Sequence, residues 1–178
     1  MDPNGRCRAL HAAGGGRMSN SSRPKVYIET SVLSYLVGRS SRDPVIAARQ
    51  AITRLWWDNE RHKYTLTVSE AVRAECAAGN PEMARRRLTH VNEASLFHID
   101  ETILRLARLL IVPGAIPETA DVDAVHIAAA AIEECEYLLT WNFRHIANVQ
   151  IRREVERILA NHGFKKTTIC TPEELFRA

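Results

Sequence analysis

The feature that most constrains this chain is an alternation of short apolar runs with longer stretches of helical periodicity. Residues 25–29 (KVYIE) read as a buried strand, and 64–68 (YTLTV), rich in β-branched residues, as a second. Residues 95–99, 137–140 and 167–170 predict three more. Helices fill the gaps. Residues 30–37 form a short one stopped by Gly38. Asp43 caps the next, with Pro44 at its first position, and it runs to about residue 63 with Val45, Ala48, Ile52, Leu55 and Trp56 on one face. Ser69 caps a helix ending near Gly79, Asn80-Pro81 opens another, and Asp100 caps ETILRLARLLI, which Pro113, Gly114 and Pro117 end. Residues 119–134 are Ala-rich and helical, 149–162 are helical and closed by Gly163, and Thr171-Pro172 starts a last short helix. Strands separated by helices predict an α/β domain with a mostly parallel sheet.

At 178 residues the chain suits about one domain. Its first 24 residues hold four Gly, two Pro and five Ser or Asn, a composition expected to stay disordered. Met18 could be the true start. The domain is therefore expected over residues 25–178, long enough to bury roughly two-thirds of its unfolded surface in one core. The net charge of +3 misleads. Arg6, Arg8, Arg17 and Arg23 against Asp2 already supply it, and removing them from 24 basic and 21 acidic residues leaves 20 of each. A uniformly basic nucleic-acid-binding surface is thus excluded, and any such contact must use local patches. Of the four Cys, none in a CxxC spacing, Cys7 lies in the extension, and Cys76, Cys135 and Cys170 read as small buried hydrophobes of a reducing cytoplasm. No apolar run approaches the roughly 20 residues of a membrane span, and the start lacks a signal-peptide core.

In open α/β sheets, sites form beyond the carboxyl ends of the strands. Glu29 ends an apolar strand, where a carboxylate is costly to bury unless paired or metal-bound. Glu75 lies two turns into the helix after the second strand. Asp121 and Asp123 open the Ala-rich helix, and Asn142 follows the fourth strand by two residues. Such oxygen donors suit Mg²⁺ or Mn²⁺. Each also has a plain structural reading: Asp121 and Asp123 as complements to a helix N-terminus, Glu75 as a solvated helix residue, Asn142 as a turn residue. Their common placement is the signal. His126 and His145 match no recognised zinc spacing and read as packing or surface residues. Trp56, Trp57 and Trp141 read as core or partner-facing, with base stacking the alternative for Trp141. Arg85, Arg86 and Arg87 read as a solvated helix face, or else as a contact for RNA phosphates or an acidic segment.

The order YIETSVLSYL, SEAVRAECAAG, DAVHIAAA, LLTWNFRHIAN resembles the PIN domain, over residues 25–176. Many members are ribonuclease toxins of the virulence-associated protein C type in bacterial toxin–antitoxin pairs. The resemblance implies a three-layer α/β sandwich with a central, mostly parallel five-stranded sheet flanked by helices. It implies a cytoplasmic, Mg²⁺-dependent (or Mn²⁺-dependent) endoribonuclease with RNA as substrate and a cognate antitoxin as partner. PIN relatives often dimerise, and the helix at 44–57 would be the surface. By position, the family's acids fall on Glu29, Glu75, Asp123 and Asn142, with Glu29 and Asn142 standing where the family usually has Asp. Glu29, Glu75 and Asp123 would ligate the ion and Asn142 would orient a water beside it. Thr30, Ser31 and Thr140 would hydrogen-bond behind the ligands, and Asp121, which has no counterpart, stands close enough to assist. The two departures leave a rival reading, a catalytically silent PIN module that binds RNA or a protein partner.

Overall fold

Three consecutive residues, Val26, Tyr27 and Ile28, are each at most 1% exposed. Neighbours on a strand point to opposite faces, so their strand must be covered on both sides. The computed structural model, which describes residues 23–112 and 115–176, provides that cover. Strands β1 (Lys25–Ile28), β2 (Thr65–Ser69), β3 (Ser95–Phe97), β4 (Tyr137–Leu139) and β5 (Thr168–Cys170) form one sheet in the order β3-β2-β1-β4-β5. Every neighbouring pair is parallel. The connections carry helices α1 (Thr30–Val37), α2 (Pro44–Asn59), α3 (Glu70–Ala77), α4 (Pro81–Val91), α5 (Glu101–Ile111), α6 (Asp121–Ile132) and α7 (Val149–Asn161). This is the expected α/β sandwich, and its sheet is parallel throughout.

Local chemistry sets the boundaries. The Asp43 carboxylate accepts from Val45 and Ile46 N–H, and Pro44 sits at the first helical position of α2. Asn80 caps α4 in the same way. Gly79 adopts φ +83°, a left-handed turn between α3 and α4 that an L side chain would strain. Arg87 donates to the carbonyls of Cys76 at 3.1 Å and Ala78 at 2.6 Å, so one member of the arginine run closes the end of α3, while Arg85 and Arg86 are exposed. Ala128, Ala129, Ala130 and Ala131 are buried, and such small side chains let α6 lie close to its neighbours. Cys76, Cys135 and Cys170 are unpaired and buried.

Four elements differ most from expectation. The helix expected to reach residue 63 ends at Asn59 and continues as a separate 3-10 turn, Arg61–Lys63. The Ala-rich helix opens as a 3-10 turn, Glu118–Ala120, before α6 begins at Asp121, and the last helix is only a 3-10 turn, Glu173–Leu175. Strand β3 is shorter than residues 95–99; it is an edge strand, with Leu96 40% exposed and one partner strand to order it. The extension, with Cys7 and Met18, lies outside the described residues up to 22, as do Pro113 and Gly114. The Pro24 carbonyl, one residue before β1, accepts from Thr65 N–H at 3.0 Å. No helix among the described residues is long and apolar enough to cross a membrane.

Candidate metal centre

The strand order turns at β1. From there β2 and β3 lie to one side, while β4 and β5 lie to the other. Connections leaving neighbouring strands in opposite directions open a crevice at their carboxyl ends. Glu29 follows β1 and Thr140 follows β4, and Glu29 N–H donates to Leu139 O at 3.0 Å.

Glu29 is 5% exposed, and both its carboxylate oxygens accept hydrogen bonds. It caps α1 by accepting from Ser31 N–H at 3.1 Å. It also accepts from the Ser31 hydroxyl and, at 2.7 Å, from the Thr140 hydroxyl. The direction of both hydroxyls is fixed, because Ser31 Oγ accepts from Trp141 N–H at 2.8 Å and Thr140 Oγ1 from Asn142 N–H at 2.9 Å. Two chain segments 110 positions apart are thereby locked around one carboxylate.

Glu75, on α3, stands at the rim of the crevice with its side chain 39% exposed. The Thr30 hydroxyl donates to its Oε2, and His126 Nε2 lies 3.0 Å from the same oxygen. Burial pushes the Glu75 carboxyl up, but the His126 hydrogen bond and charge, with Thr30, outweigh it and hold the group below the usual range. His126 is 1% exposed, and its Nδ1 meets Tyr27 Oη at 2.8 Å. Tyr27 Oη in turn meets Ser69 Oγ at 2.7 Å. Burial alone would depress the imidazole; the bond to Glu75 and the charges of Glu29, Glu75 and Asp123 overcome it and raise its pKa. Burial pushes the Tyr27 phenol far up, so it stays protonated. Ligand atoms of Glu29, Glu75 and His126 lie within 4.8 Å of one another.

Asp123, in the first turn of α6, is pinned from the side. Asn142 Nδ2 donates to its Oδ1 at 2.9 Å, and Asn142 Oδ1 accepts from His145 N–H at 3.1 Å. Burial raises the Asp123 carboxyl against the opposing pull of His126 and His145, and Glu29 and Glu75 raise it further.

No protein-family model matches the chain, and neither does any curated protein. Solved structures do match. The toxin VapC20 of Mycobacterium tuberculosis, a Sarcin-Ricin loop cleaving toxin, aligns at 15% identity and TM-score 0.52, covering 79% of this chain and 97% of that one. A toxin–antitoxin complex from Klebsiella pneumoniae aligns at 14% identity and TM-score 0.54, covering 83% of this chain and 98% of that one. The fold is that of a VapC toxin.

In this VapC-like fold the residues singled out in sequence separate into three groups. Glu29 and Glu75 come together, with Thr30, Ser31 and Thr140 as hydrogen-bond donors behind them. Asp123 and Asn142 form one hydrogen-bonded pair alongside. Asp121 is exposed, and its carboxylate accepts from the adjacent Val122 N–H. His126 and Tyr27 went unread as site residues. The available signal for His126 was its position three after Asp123, on the same helix face; Tyr27 offered none beyond its strand.

Proposed function

We propose that this chain is a divalent-metal-dependent ribonuclease, the toxin half of a toxin–antitoxin pair, that hydrolyses RNA phosphodiester bonds. The observation that carries the proposal is the convergence of Glu29, Glu75 and His126 ligand atoms within 4.8 Å, at the crevice where the strand order turns. The donor set fits a hard dication: two carboxylates, Glu29 and Glu75, with a third, Asp123, beside them, while His126 would join the ligands only by exchanging its bond to Glu75 for the metal. A bound Mg²⁺ or Mn²⁺ would supply Lewis-acid stabilisation of the phosphate and an activated water. The chain's own groups supply position. Ser31 and Thr140 hold Glu29, Thr30 holds Glu75, and the Asn142 amide holds Asp123, each by a hydrogen bond that orients a carboxylate toward the crevice. The likeness to VapC20, a Sarcin-Ricin loop cleaving toxin, and to a toxin–antitoxin complex supports the reading of a cleaving toxin with an antitoxin partner. The test is cleavage of single-stranded and structured RNA by the purified protein with Mg²⁺ or Mn²⁺, beside an EDTA control. Metal-dependent cleavage is expected. Binding without cleavage at every metal concentration would make the chain a silent binding module instead.

A further inference from the structure

Beside the metal centre lies a groove of about 460 Å³ that none of the roles above uses. Val45, Arg49 and Ile52 of α2 line it together with Trp141, Phe143 and Glu173. Two features set it apart from an ordinary surface hollow. Phe143 is 41% exposed and Val45 56%, although both are large apolar side chains. The Arg49 guanidinium lies 4.6 Å from the Phe143 ring centroid and 5.6 Å from that of Trp141. Among the described residues its partners are these rings and not a carboxylate, so the cation keeps its charge for an incoming anion.

The groove and the metal centre share one short segment. Trp141 N–H reaches Glu29 through the Ser31 hydroxyl, Asn142 holds Asp123, and Phe143 follows directly. A nucleotide seated against Phe143 would have Arg49 at hand for a phosphate, with Asn142 and its partner Asp123 next along the chain. An aromatic ring with a guanidinium over it is a surface on which an unpaired base stacks, whereas a base inside a duplex presents no free face. Glu173 would repel a phosphate, but a carboxylate accepts readily from the exocyclic amine of a base.

We infer that this groove is a subsite for one unpaired nucleobase of the RNA substrate, stacked on Phe143 and Arg49 beside the scissile phosphate. This rests on the ribonuclease reading above. The subsite selects where the RNA is cut, because the strand must splay one base out to engage it.

The test is steady-state cleavage of a single-stranded RNA in Mn²⁺ by the full chain and its Phe143→Ala, Phe143→Trp and Arg49→Ala variants. Each RNA is made intact and with single abasic positions flanking the cut. Phe143→Ala should lower kcat/KM by roughly five- to a hundredfold, mainly through KM, and Phe143→Trp should restore it. One abasic position should impose the same loss on the parent and almost none on Phe143→Ala. Equal kcat/KM for parent and Phe143→Ala, or an abasic penalty that persists in that variant, overturns the subsite and leaves the ribonuclease standing. A change in sedimentation mass with unchanged kcat/KM also overturns it, and assigns the groove to a second copy of the chain. A parent that neither binds nor cuts RNA overturns the ribonuclease reading, and the subsite with it.

Discussion

Asn142 donates its side-chain amide to the Asp123 carboxylate at 2.9 Å, across 19 positions of sequence, while its oxygen accepts from His145 N–H. Both ends of the side chain are thus engaged within the protein. In this arrangement the Asn142 amide orients the Asp123 carboxylate. An amide does this without adding charge to a cluster where Asp123 is already pushed up by burial and by Glu29 and Glu75.

Replacing that donor tests the arrangement directly. In Asn142→Asp two carboxylates face each other across a hydrogen-bond distance, and the charge-assisted bond is lost. The expected loss is about 1–2 kcal/mol in EDTA, or roughly 2–8 °C in Tm for a domain of this size. A divalent ion neutralises the added charge, so Mn²⁺ should raise the Tm of Asn142→Asp by more than it raises the parent's. Differential scanning fluorimetry with and without Mn²⁺ measures both shifts. An equal Mn²⁺ shift in the two proteins would place the pair outside the metal's reach.

Asp123→Asn removes charge from the same pair. The new amide oxygen still accepts from Asn142 Nδ2, so the local bond survives and the repulsion from Glu29 and Glu75 is relieved. The fold should be unchanged or slightly more stable. Metal-dependent cleavage should vanish, because a hard cation needs the lost charge. Calorimetric Mn²⁺ titration separates the outcomes. Binding as tight as the parent's would make Asp123 a helix-end residue only.

Tyr27→Phe addresses a residue of the network that lies beneath the crevice. Its hydroxyl bridges Ser69 Oγ and His126 Nδ1, all within the buried interior. Removing it leaves two buried polar atoms without that partner, at about 1–3 kcal/mol. It also frees the ring that supports Glu75. The urea midpoint should fall with an unchanged m-value, and kcat should fall with it. Full activity in a destabilised variant would confine Tyr27 to a structural role.

What the sequence made legible follows from what each residue's neighbours along the chain determine. β1 and β4 stood out because strands buried on both faces are continuous apolar runs. β3 was overextended; it is an edge strand with a single partner, which no local pattern reports. Glu29 could be recognised because a carboxylate at the end of such a strand has few cheap explanations. On spacing alone Asp121 and Asp123 share one reading as complements to the helix N-terminus, yet two residues are about 200° around a helix, so they face different ways. His126 sits nearly one turn beyond Asp123 and shares its face, but within an Ala-rich buried helix it read as packing. Tyr27 read as a core aromatic, and its hydroxyl contacts depend on tertiary partners 42 and 99 positions away.

The end of the chain carries a charge contact whose pH dependence has a definite sign. Arg152 on α7 donates to both Glu174 oxygens, at 2.8 and 3.1 Å, and Thr171 N–H donates to one of them at 2.7 Å. The Arg152 bonds, against a smaller opposing effect of burial and with help from Thr171, hold the Glu174 carboxyl below its ordinary value. A carboxyl depressed on folding contributes stability above its unfolded pKa, and that contribution fades as pH falls through the folded value. Glu174→Gln should therefore be less stable than the parent at pH 7, by a modest amount because the Glu174 side chain is about half exposed to solvent screening. The gap should close progressively below about pH 4.5, toward the folded value of the depressed carboxyl. Urea unfolding of parent and variant from pH 7 to pH 3 measures the gap at each point. A gap that stays constant over that range would mean that Glu174 contributes through its hydrogen-bonding shape and not through its charge.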